Sequence, residues 1–397
     1  MPKLKLILLG LVLATGSALA QSDLEEREAA EARMQQAFRD GMAEIVEDLN
    51  RGSFERFVAA IDQDDMLERI FGLRLIDPRM KRDFREDMEE RGRFEGFIQS
   101  NFALEASDGL KATLLLVESR GDRGRAVIRY DLPYFQVNYH EYDLTLDKKD
   151  RVVLIDWNDY YWGHKFSDRM GLSMIQAQPN TNAARKLIDF PAVRDQQIFQ
   201  MMEILKSTRS RDFEKYFEIV EDLDPDMKRQ RAIIKLGLDA TRQARKRRNQ
   251  RQILEWVAEY FPEDPLFSIA LLDYYFPDKQ YENAYNALVR LQRKLRVDDA
   301  VMNARLSSAT LVLDRVEDSV AYAQRSVEQD PKLELGWWAV FRAYVAAEQY
   351  AAAVDALETL EATFGHSLGP DALSKDPAMG SFSRSEEYRN WFEGNRS

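Results

Sequence analysis

The stretch that decides the fold is residues 334–360, ELGWWAVFRAYVAAEQYAAAVDALETL. Apolar side chains recur in it at three- and four-residue steps, first at Trp337, Phe341 and Tyr344 and again over 353–360. This period is typical of one face of an α-helix. The two halves of the stretch therefore predict a pair of amphipathic helices joined by a short turn.

The same pattern occurs twice upstream of this hairpin, which begins at Glu334. The earlier segments begin at Pro265 and Ala300, so the steps are 35 residues (265 to 300) and 34 residues (300 to 334). An Asp-Pro pair precedes two of the three segments, and Pro ends one helix and favours the start of the next. A small residue stands at the same place in each second helix, where close crossing of the two helices requires it: Ala284, Ser319 and Ala353.

This period and pattern resemble the tetratricopeptide repeat (TPR) family, whose unit is a helical hairpin of about 34 residues. The resemblance implies three repeats over residues 265–367, which form part of an all-α solenoid. It also implies degenerate helical hairpins over 183–264 and a C-terminal capping segment over 368–397, since a solenoid needs its open end covered.

In the TPR family, the first helix of each hairpin lines an inner groove that holds a segment of a partner. Carried over position by position, the resemblance places the following residues in that groove: Leu266, Ile269, Asp273, Phe276, Val301, Ala304, Ser308, Leu311, Leu335, Trp338, Arg342 and Val345. The set is more apolar than charged, so it suits an amphipathic helix or an extended apolar peptide better than an acidic tail. The alternative is that its apolar members pack against another part of the same chain.

The first twenty residues have the layout of a secretory signal peptide. Lys3 and Lys5 precede an apolar run at 6–14, and Ala18 and Ala20, with one residue between them, provide a small-x-small cleavage site. An uncleaved anchor helix is the alternative, but this run is shorter than the roughly 20 apolar residues that a membrane span needs. We therefore expect residues 1–20 to be removed and the mature chain to insert into no membrane. The expected location is the periplasm, with secretion beyond the cell as the alternative.

Residues 21–182 predict an α+β domain. Helical periodicity extends to about residue 103, and four runs rich in Val, Ile, Leu, Thr and Tyr follow at 110–119, 123–132, 137–146 and 151–162. Short connections with turn residues but no helices between these runs predict a four-stranded antiparallel meander. In its element order, the domain resembles the nuclear transport factor 2-like class.

The strands of this domain carry one concentration of polar and aromatic residues: Tyr139, His140, Tyr142, Asp156 and Trp157. Aromatic walls with a few converging polar groups are the usual form of a small-molecule pocket. Aromatic residues on strands also serve as core packing, so both interpretations stay open. His140 and His164 lie near carboxylates, but their spacing matches no known metal-ligand pattern, and we predict no metal site.

The densest basic run of the chain lies at 242–251, RQARKRRNQR. In an otherwise acidic protein, this run is able to bind an anionic component of the cell envelope or an acidic partner. The alternative is a solvated bend between two helices.

The composition favours a binding protein over an enzyme. The chain has 56 Lys and Arg against 68 Asp and Glu, a net charge of −12, which becomes −14 when residues 1–20 leave with two lysines and no acid. Such an acidic chain is a poor nucleic-acid binder. It has no Cys, which excludes disulfides and a Cys nucleophile, and it has no nucleotide-binding or hydrolase motif. We predict a non-catalytic adaptor without cofactor that binds a protein or peptide partner in the groove. The alternative is a small-molecule binding protein with its pocket in the α+β domain.

Overall fold

The structure is a computed structural model. It describes residues 3–72, 76–89, 93–102, 111–132, 136–244, 247–366, 369, 373 and 376–394, except for the side chains of residues 3–26, 101, 243–244 and 247. The chain divides into two compact units. One comprises Met1–Leu132, Tyr139–Asn158 and Lys165–Gly171, and the other comprises Pro133–Asn138, Asp159–His164 and Leu172–Ser397. Within the described ranges, no helix is both long and apolar enough to cross a membrane.

The N-terminal part of the first unit is helical. Its helices are α1 Lys3–Asn50, α2 Glu55–Ala59, α3 Gln63–Phe71, α4 Pro78–Glu89 and α5 Phe94–Asn101. Along α1, Phe38, Met42, Ile45 and Leu49 recur at three- and four-residue steps and are buried, as an amphipathic helix requires. The side chains of the predicted signal segment, residues 1–20, lie outside the described residues, so its cleavage stays a prediction.

An antiparallel sheet follows these helices. Its strands are β1 Lys111–Arg120, β2 Arg123–Asp131, β3 Val137–Leu146, β4 Val152–Asp159 and β5 His164–Lys165, side by side in that order. The prediction of four strands is wrong, because the described residues form five. The fifth strand has only two residues, too few to show an alternating pattern. The predicted fourth run at 151–162 is also too long, because the chain leaves the strand at Asp159 and turns through Gly163, where φ is +69°.

Two amide side chains of α1 bind the main chain of the edge strand β1. Gln35 donates to Val117 O at 2.7 Å and accepts from Ser119 N at 2.6 Å. Asn50 does the same at the other end of the strand, where it donates to Ala112 O at 2.9 Å and accepts from Ala112 N at 2.7 Å. The helix thus lies along β1 and takes the hydrogen-bonding place of a further strand.

The chain is helical after β5. The next helices are α6 Phe166–Ala177, α7 Thr181–Lys186, α8 Asp195–Arg209, α9 Phe213–Glu221, α10 Pro225–Lys228, α11 Arg231–Ala244 and α12 Arg247–Tyr260. Helix α8 packs against α9, and α11 packs against α12. Gly237 permits the second contact, because a Cβ there would lie 2.7 Å from Ile253 Cδ1 of α12. Two helical hairpins therefore precede the predicted repeats.

Three further hairpins form the repeat region. A 3₁₀ turn at Pro265–Phe267 leads into α13 Ser268–Tyr275, followed by α14 Tyr281–Leu295, α15 Ala300–Val312, α16 Val316–Gln329, α17 Glu334–Ala346 and α18 Tyr350–Phe364. The small residues Ala284, Ser319 and Ala353 have no exposed surface, and Ser319 Oγ lies 3.0 Å from Ser307 O of the facing helix. The region is a TPR-like helical repeat, as its sequence pattern predicts.

The C-terminal segment covers the last hairpin. It contains 3₁₀ turns at Pro377–Met379 and Phe382–Arg384 and the helix α19 Glu386–Gly394. Phe382 is fully buried, with its ring 5.4 Å from that of Phe341 in α17 and 5.1 Å from that of Tyr388 in α19. Aromatic packing therefore closes this end of the repeat region.

Candidate functional site

The first helices of four successive hairpins, α11, α13, α15 and α17, place one row of polar residues at equivalent positions. Asp239, Asp273, Ser308 and Arg342 follow one another at steps of 34, 35 and 34 residues (239 to 273 to 308 to 342). We call the face that carries this row the inner surface. Asp273 and Arg342 are exposed, whereas Ser308 is half-buried with its Oγ donating to Ala304 O of its own helix at 3.1 Å.

The predicted groove residues divide into packed and accessible ones. Packed positions on the first helices are buried and contribute to the core: Ile269, Val301, Ala304 and Val345. Half-buried positions retain surface toward solvent: Leu266, Phe276, Leu311, Leu335 and Trp338. Sequence reasoning missed Val312, which is 53% exposed and lies four residues after Ser308, on the same helix face.

Trp338 is held in place by the polar groups around it. Its Nε1 donates to Glu334 Oε1 at 3.2 Å, and His366 Nε2 lies 2.7 Å from the same oxygen. The Trp338 ring is 5.1 Å from the ring of His366 and 6.2 Å from that of Phe341. The guanidinium carbon of Arg342 lies 5.9 Å from the Trp338 ring centroid. An aromatic ring and an arginine thus stand side by side on α17 in a defined geometry.

We call Leu311, Val312, Trp338 and Arg342 the open patch. All four lie on the first helices α15 and α17, which pack against each other. Among the described residues, Arg342 forms no ion pair and no side-chain hydrogen bond. The open patch therefore combines accessible apolar surface with a cation that has an aromatic neighbour but no acceptor.

Asp273 on α13 interacts electrostatically with residues of two other first helices, α11 and α15. Desolvation by the surrounding protein raises the pKa of its carboxyl group, and the positive charges of Arg242 on α11 and Arg305 on α15 oppose this rise. Both arginines are therefore close enough to Asp273 to act on it electrostatically. Asp273 on α13 therefore interacts electrostatically with one arginine on α11 and one on α15.

A turn of the second unit, Asp159–His164, occupies the α11 end of the inner surface. Arg242 donates to the main-chain oxygen of Tyr161, and its guanidinium carbon lies 4.0 Å from the Tyr161 ring and 4.7 Å from the Trp162 ring. A Cβ on Gly163 would lie 2.9 Å from the ring of Phe267. We call this segment the aromatic turn. Part of the inner surface is therefore covered by the chain itself.

The aromatic turn has its own internal support. The Asp159 carboxylate accepts from Tyr161 N and Trp162 N, both at 3.0 Å, and from Asn138 Nδ2 at 2.9 Å. Asn138 Oδ1 accepts in turn from Tyr161 N at 2.8 Å. The turn is thus a preformed shape that presents its two rings and its carbonyl to Arg242.

The predicted small-molecule pocket residues are packed in the first unit. Their exposed fractions are all 2% or less: Tyr139, His140, Tyr142, Asp156 and Trp157. The Tyr142 hydroxyl lies 2.9 Å from His140 Nδ1 and 2.6 Å from the Tyr130 hydroxyl, and Trp157 stacks on Phe166 at 4.0 Å. Their polar and aromatic groups are engaged with one another and with neighbouring core residues.

Asp156 supports the start of α6. Its carboxylate accepts from Ser167 Oγ at 2.5 Å and from Ser167 N at 3.2 Å, and Lys165 Nζ lies 3.7 Å away. Burial raises the pKa of Asp156, and the bonds from Ser167 and the charge of Lys165 oppose that rise. Across the described ranges, no three His, Asp or Glu side chains converge to hold a metal ion.

The two ends of the basic run at 242–251 have different partners. Arg242 faces the aromatic turn, whereas Arg251 donates two hydrogen bonds to Asp278, at 2.5 and 2.6 Å. Arg245 and Lys246 lie outside the described residues. The charge of the run does not indicate these partners, because the aromatic turn and Asp278 both lie outside the run in sequence.

No family model and no curated protein matches the chain. Among solved structures, a mutant of MamA matches 42% of this chain and 94% of its own at 16% identity and a TM-score of 0.29. MamA from MSR-1 matches with the same coverage and identity and a TM-score of 0.30. The TPR2AB domain of yeast Sti1, in complex with pHSP90, matches 55% of this chain and all of its own at 16% identity and a TM-score of 0.23. At such TM-scores no detail of those proteins transfers to this chain, and the interpretation rests on its own hairpins.

Proposed function

We propose that this protein is a non-catalytic adaptor that binds a segment of a protein partner on the inner surface of α13, α15 and α17. The observation that supports this most is the open patch, where Trp338 and Arg342 stand side by side on α17 and the helix packed against it, α15, carries the exposed Val312. Monomeric proteins rarely leave clustered apolar surface without a role, and such surface often marks an interaction site.

The composition of the open patch fits protein recognition. Trp and Arg are the residue types that most often dominate the binding energy of an interface, because they bury large surfaces in well-packed pockets. The hydrogen bond that holds Trp338 to Glu334 means that little side-chain freedom is lost on binding, which favours affinity. The patch is therefore preorganised for a partner side chain.

The remaining parts of this proposal concern location and organisation. Export to the periplasm, or beyond the cell, is supported by the signal-like sequence of residues 1–20. The proposed domains of the mature chain are an α+β domain over 21–182 and the helical regions 183–264, 265–367 and 368–397. The packing of Tyr139 and its neighbours gives no support for a second, small-molecule function.

In-cell photo-crosslinking tests the adaptor function. A photo-crosslinking amino acid at Val312 is expected to capture one or a few proteins, because this side chain is 53% exposed at the open patch. The matched control is the same amino acid at Phe199, which is an apolar residue with 67% exposure on α8. Adducts that form equally at both positions, or at neither, contradict the proposal.

A charge reversal adds a second readout to this experiment. Arg342→Glu removes the exposed cation and should lower the Val312 adduct yield about tenfold, the effect of about 1.4 kcal/mol. Lys332→Glu makes the same charge change in the exposed loop before α17 and should leave the yield unchanged. Equal losses in the two variants would show a general electrostatic effect and no specific surface.

A further inference from the structure

The inner surface already holds one segment, and that segment shows which chemistry the surface accepts. At Arg242, the aromatic turn supplies two rings, at 4.0 and 4.7 Å from the guanidinium carbon, and a main-chain oxygen that accepts from the guanidinium. A guanidinium is attracted to the face of an aromatic ring, and more strongly so when water is excluded. One short piece of chain thus supplies the cation with an acceptor for its Nη2 and with an apolar cover.

Arg342 has the aromatic part of this arrangement but not the acceptor. It has one ring, that of Trp338 at 5.9 Å, but among the described residues it has no hydrogen-bond acceptor. Arg342 is exposed, whereas Arg242 is half-buried. A second ring and a main-chain oxygen would give Arg342 on α17 the same surroundings that the aromatic turn gives Arg242 on α11.

The charges of the same row disfavour an acidic partner segment. Asp273 stands two repeats before Arg342 in this row, and the whole chain has a net charge of −12. An approaching carboxylate is repelled by both, although it would be attracted by Arg342 itself. An aromatic side chain with its neutral backbone meets no such opposition.

We infer that the partner segment carries a Tyr, Trp or Phe side chain that stacks on Arg342 beside Trp338, with a backbone carbonyl that accepts from the guanidinium. This inference rests on the proposed adaptor function and specifies the chemistry of its partner. The apolar surface of Leu311 and Val312, on the neighbouring α15, then receives the next apolar side chain of the same segment. The aromatic turn is the chain's own example of such a segment.

Peptide selection on the full-length protein tests this inference. A phage-displayed library of random linear peptides is selected on the wild-type chain, and the selected peptides are synthesised and titrated against three variants. Arg342→Gln removes the cation, Val312→Asp changes the part of the open patch on α15, and Lys332→Gln is the control outside the patch. Each selected peptide is also made with its aromatic residues replaced by Leu.

The expected result is that the selected peptides are rich in Tyr, Trp or Phe and bind about tenfold more weakly to Arg342→Gln, a loss within the range of a desolvated cation–π contact. Binding to Lys332→Gln should be unchanged, and the aromatic-to-Leu peptides should lose about as much affinity on the wild type.

The other outcomes separate this inference from the proposed function. Peptides that depend on Arg342 and Val312 but carry carboxylates in place of essential aromatic residues would overturn the inference and support the adaptor function. Aromatic peptides that bind Arg342→Gln as well as the wild type would overturn the inference also. Failure to select any peptide that depends on Val312 would overturn the proposed function itself.

Discussion

Removing the guanidinium of Arg242 should weaken the attachment of the aromatic turn to α11. Two contributions are lost in Arg242→Ala. The hydrogen bond from a charged donor to Tyr161 O contributes about 1.5–3 kcal/mol, and a desolvated cation–π contact at 4.0 Å contributes about 1–2 kcal/mol. The free energy of unfolding should therefore fall by about 2.5–5 kcal/mol.

A double-mutant cycle separates the ring contact from the rest. Tyr161→Leu removes the ring but keeps the main-chain oxygen, so the coupling between Arg242→Ala and Tyr161→Leu measures the cation–π part, which we expect to be about 1–2 kcal/mol. Urea unfolding, followed by the fluorescence of the six Trp residues, provides the four free energies. The control cycle pairs Tyr161→Leu with Arg251→Ala, since Arg251 binds Asp278, and its two effects should add.

A coupling below about 0.5 kcal/mol would refute the reasoning, because sites without a shared contact show additivity within that limit. In that case the Tyr161 ring would contribute nothing to the attachment of the turn to Arg242. The aromatic turn would then be no example of an aromatic segment that the inner surface binds through arginine.

Two further predictions concern the packing that supports these surfaces. In Gly336→Ala, the new Cβ would lie 2.7 Å from Ser326 Oγ, a buried atom, so overpacking of about 1–3 kcal/mol should outweigh a gain of about 1 kcal/mol in helix propensity. Gly96→Ala is the control, since nothing lies within 4 Å of its Cβ position, and thermal or urea unfolding should show this variant unchanged or more stable. Burial raises the pKa of Asp156 above its ordinary value of 3.8, so the folded chain binds this proton more tightly than the unfolded chain does. That contribution to stability is complete below pH 3.8 and is lost as the pH rises through the raised value. Urea unfolding at neutral pH and at about pH 4 should therefore show the wild type gaining stability relative to Asp156→Asn as the pH falls, whereas a constant difference would contradict the assignment.

The hairpins of the repeat region were predictable because their determinants are local. Trp337, Phe341 and Tyr344 lie within one helix, and Ala353 meets that helix after a short turn, so a window of about 34 residues contains the whole unit. The repeat then supplies the same pattern three times. The sheet was predictable in its first four strands for a similar reason, since each has enough residues to alternate, whereas His164 and Lys165 do not.

The covered and open parts of the inner surface could not be predicted in the same way. Tyr161 meets Arg242 across 81 residues of sequence, and no local pattern indicates which helix receives the turn. The five pocket residues predicted around Trp157 show the same limit, because a row of Tyr and His on strands has the same pattern whether it lines a cavity or fills a core. Val312 escaped notice because exposure of one apolar residue at a helix end has no periodic signal.

The contacts of Gln35 and Asn50 with β1 also bear on the solubility of the protein. An edge strand with free N–H and C=O groups is a template on which a second chain can add a strand, and this leads to aggregation. Here the side-chain amides of Gln35 and Asn50, fifteen positions apart on α1, bind the main chain of β1 near both of its ends. The segment of α1 from Gln35 to Asn50 supplies this protection. A second chain is therefore kept from pairing with β1 only while that segment is folded against the sheet. The ribosome has already synthesised this segment of α1 when β1 emerges. The order of the sequence thus keeps the strand covered from the moment it forms.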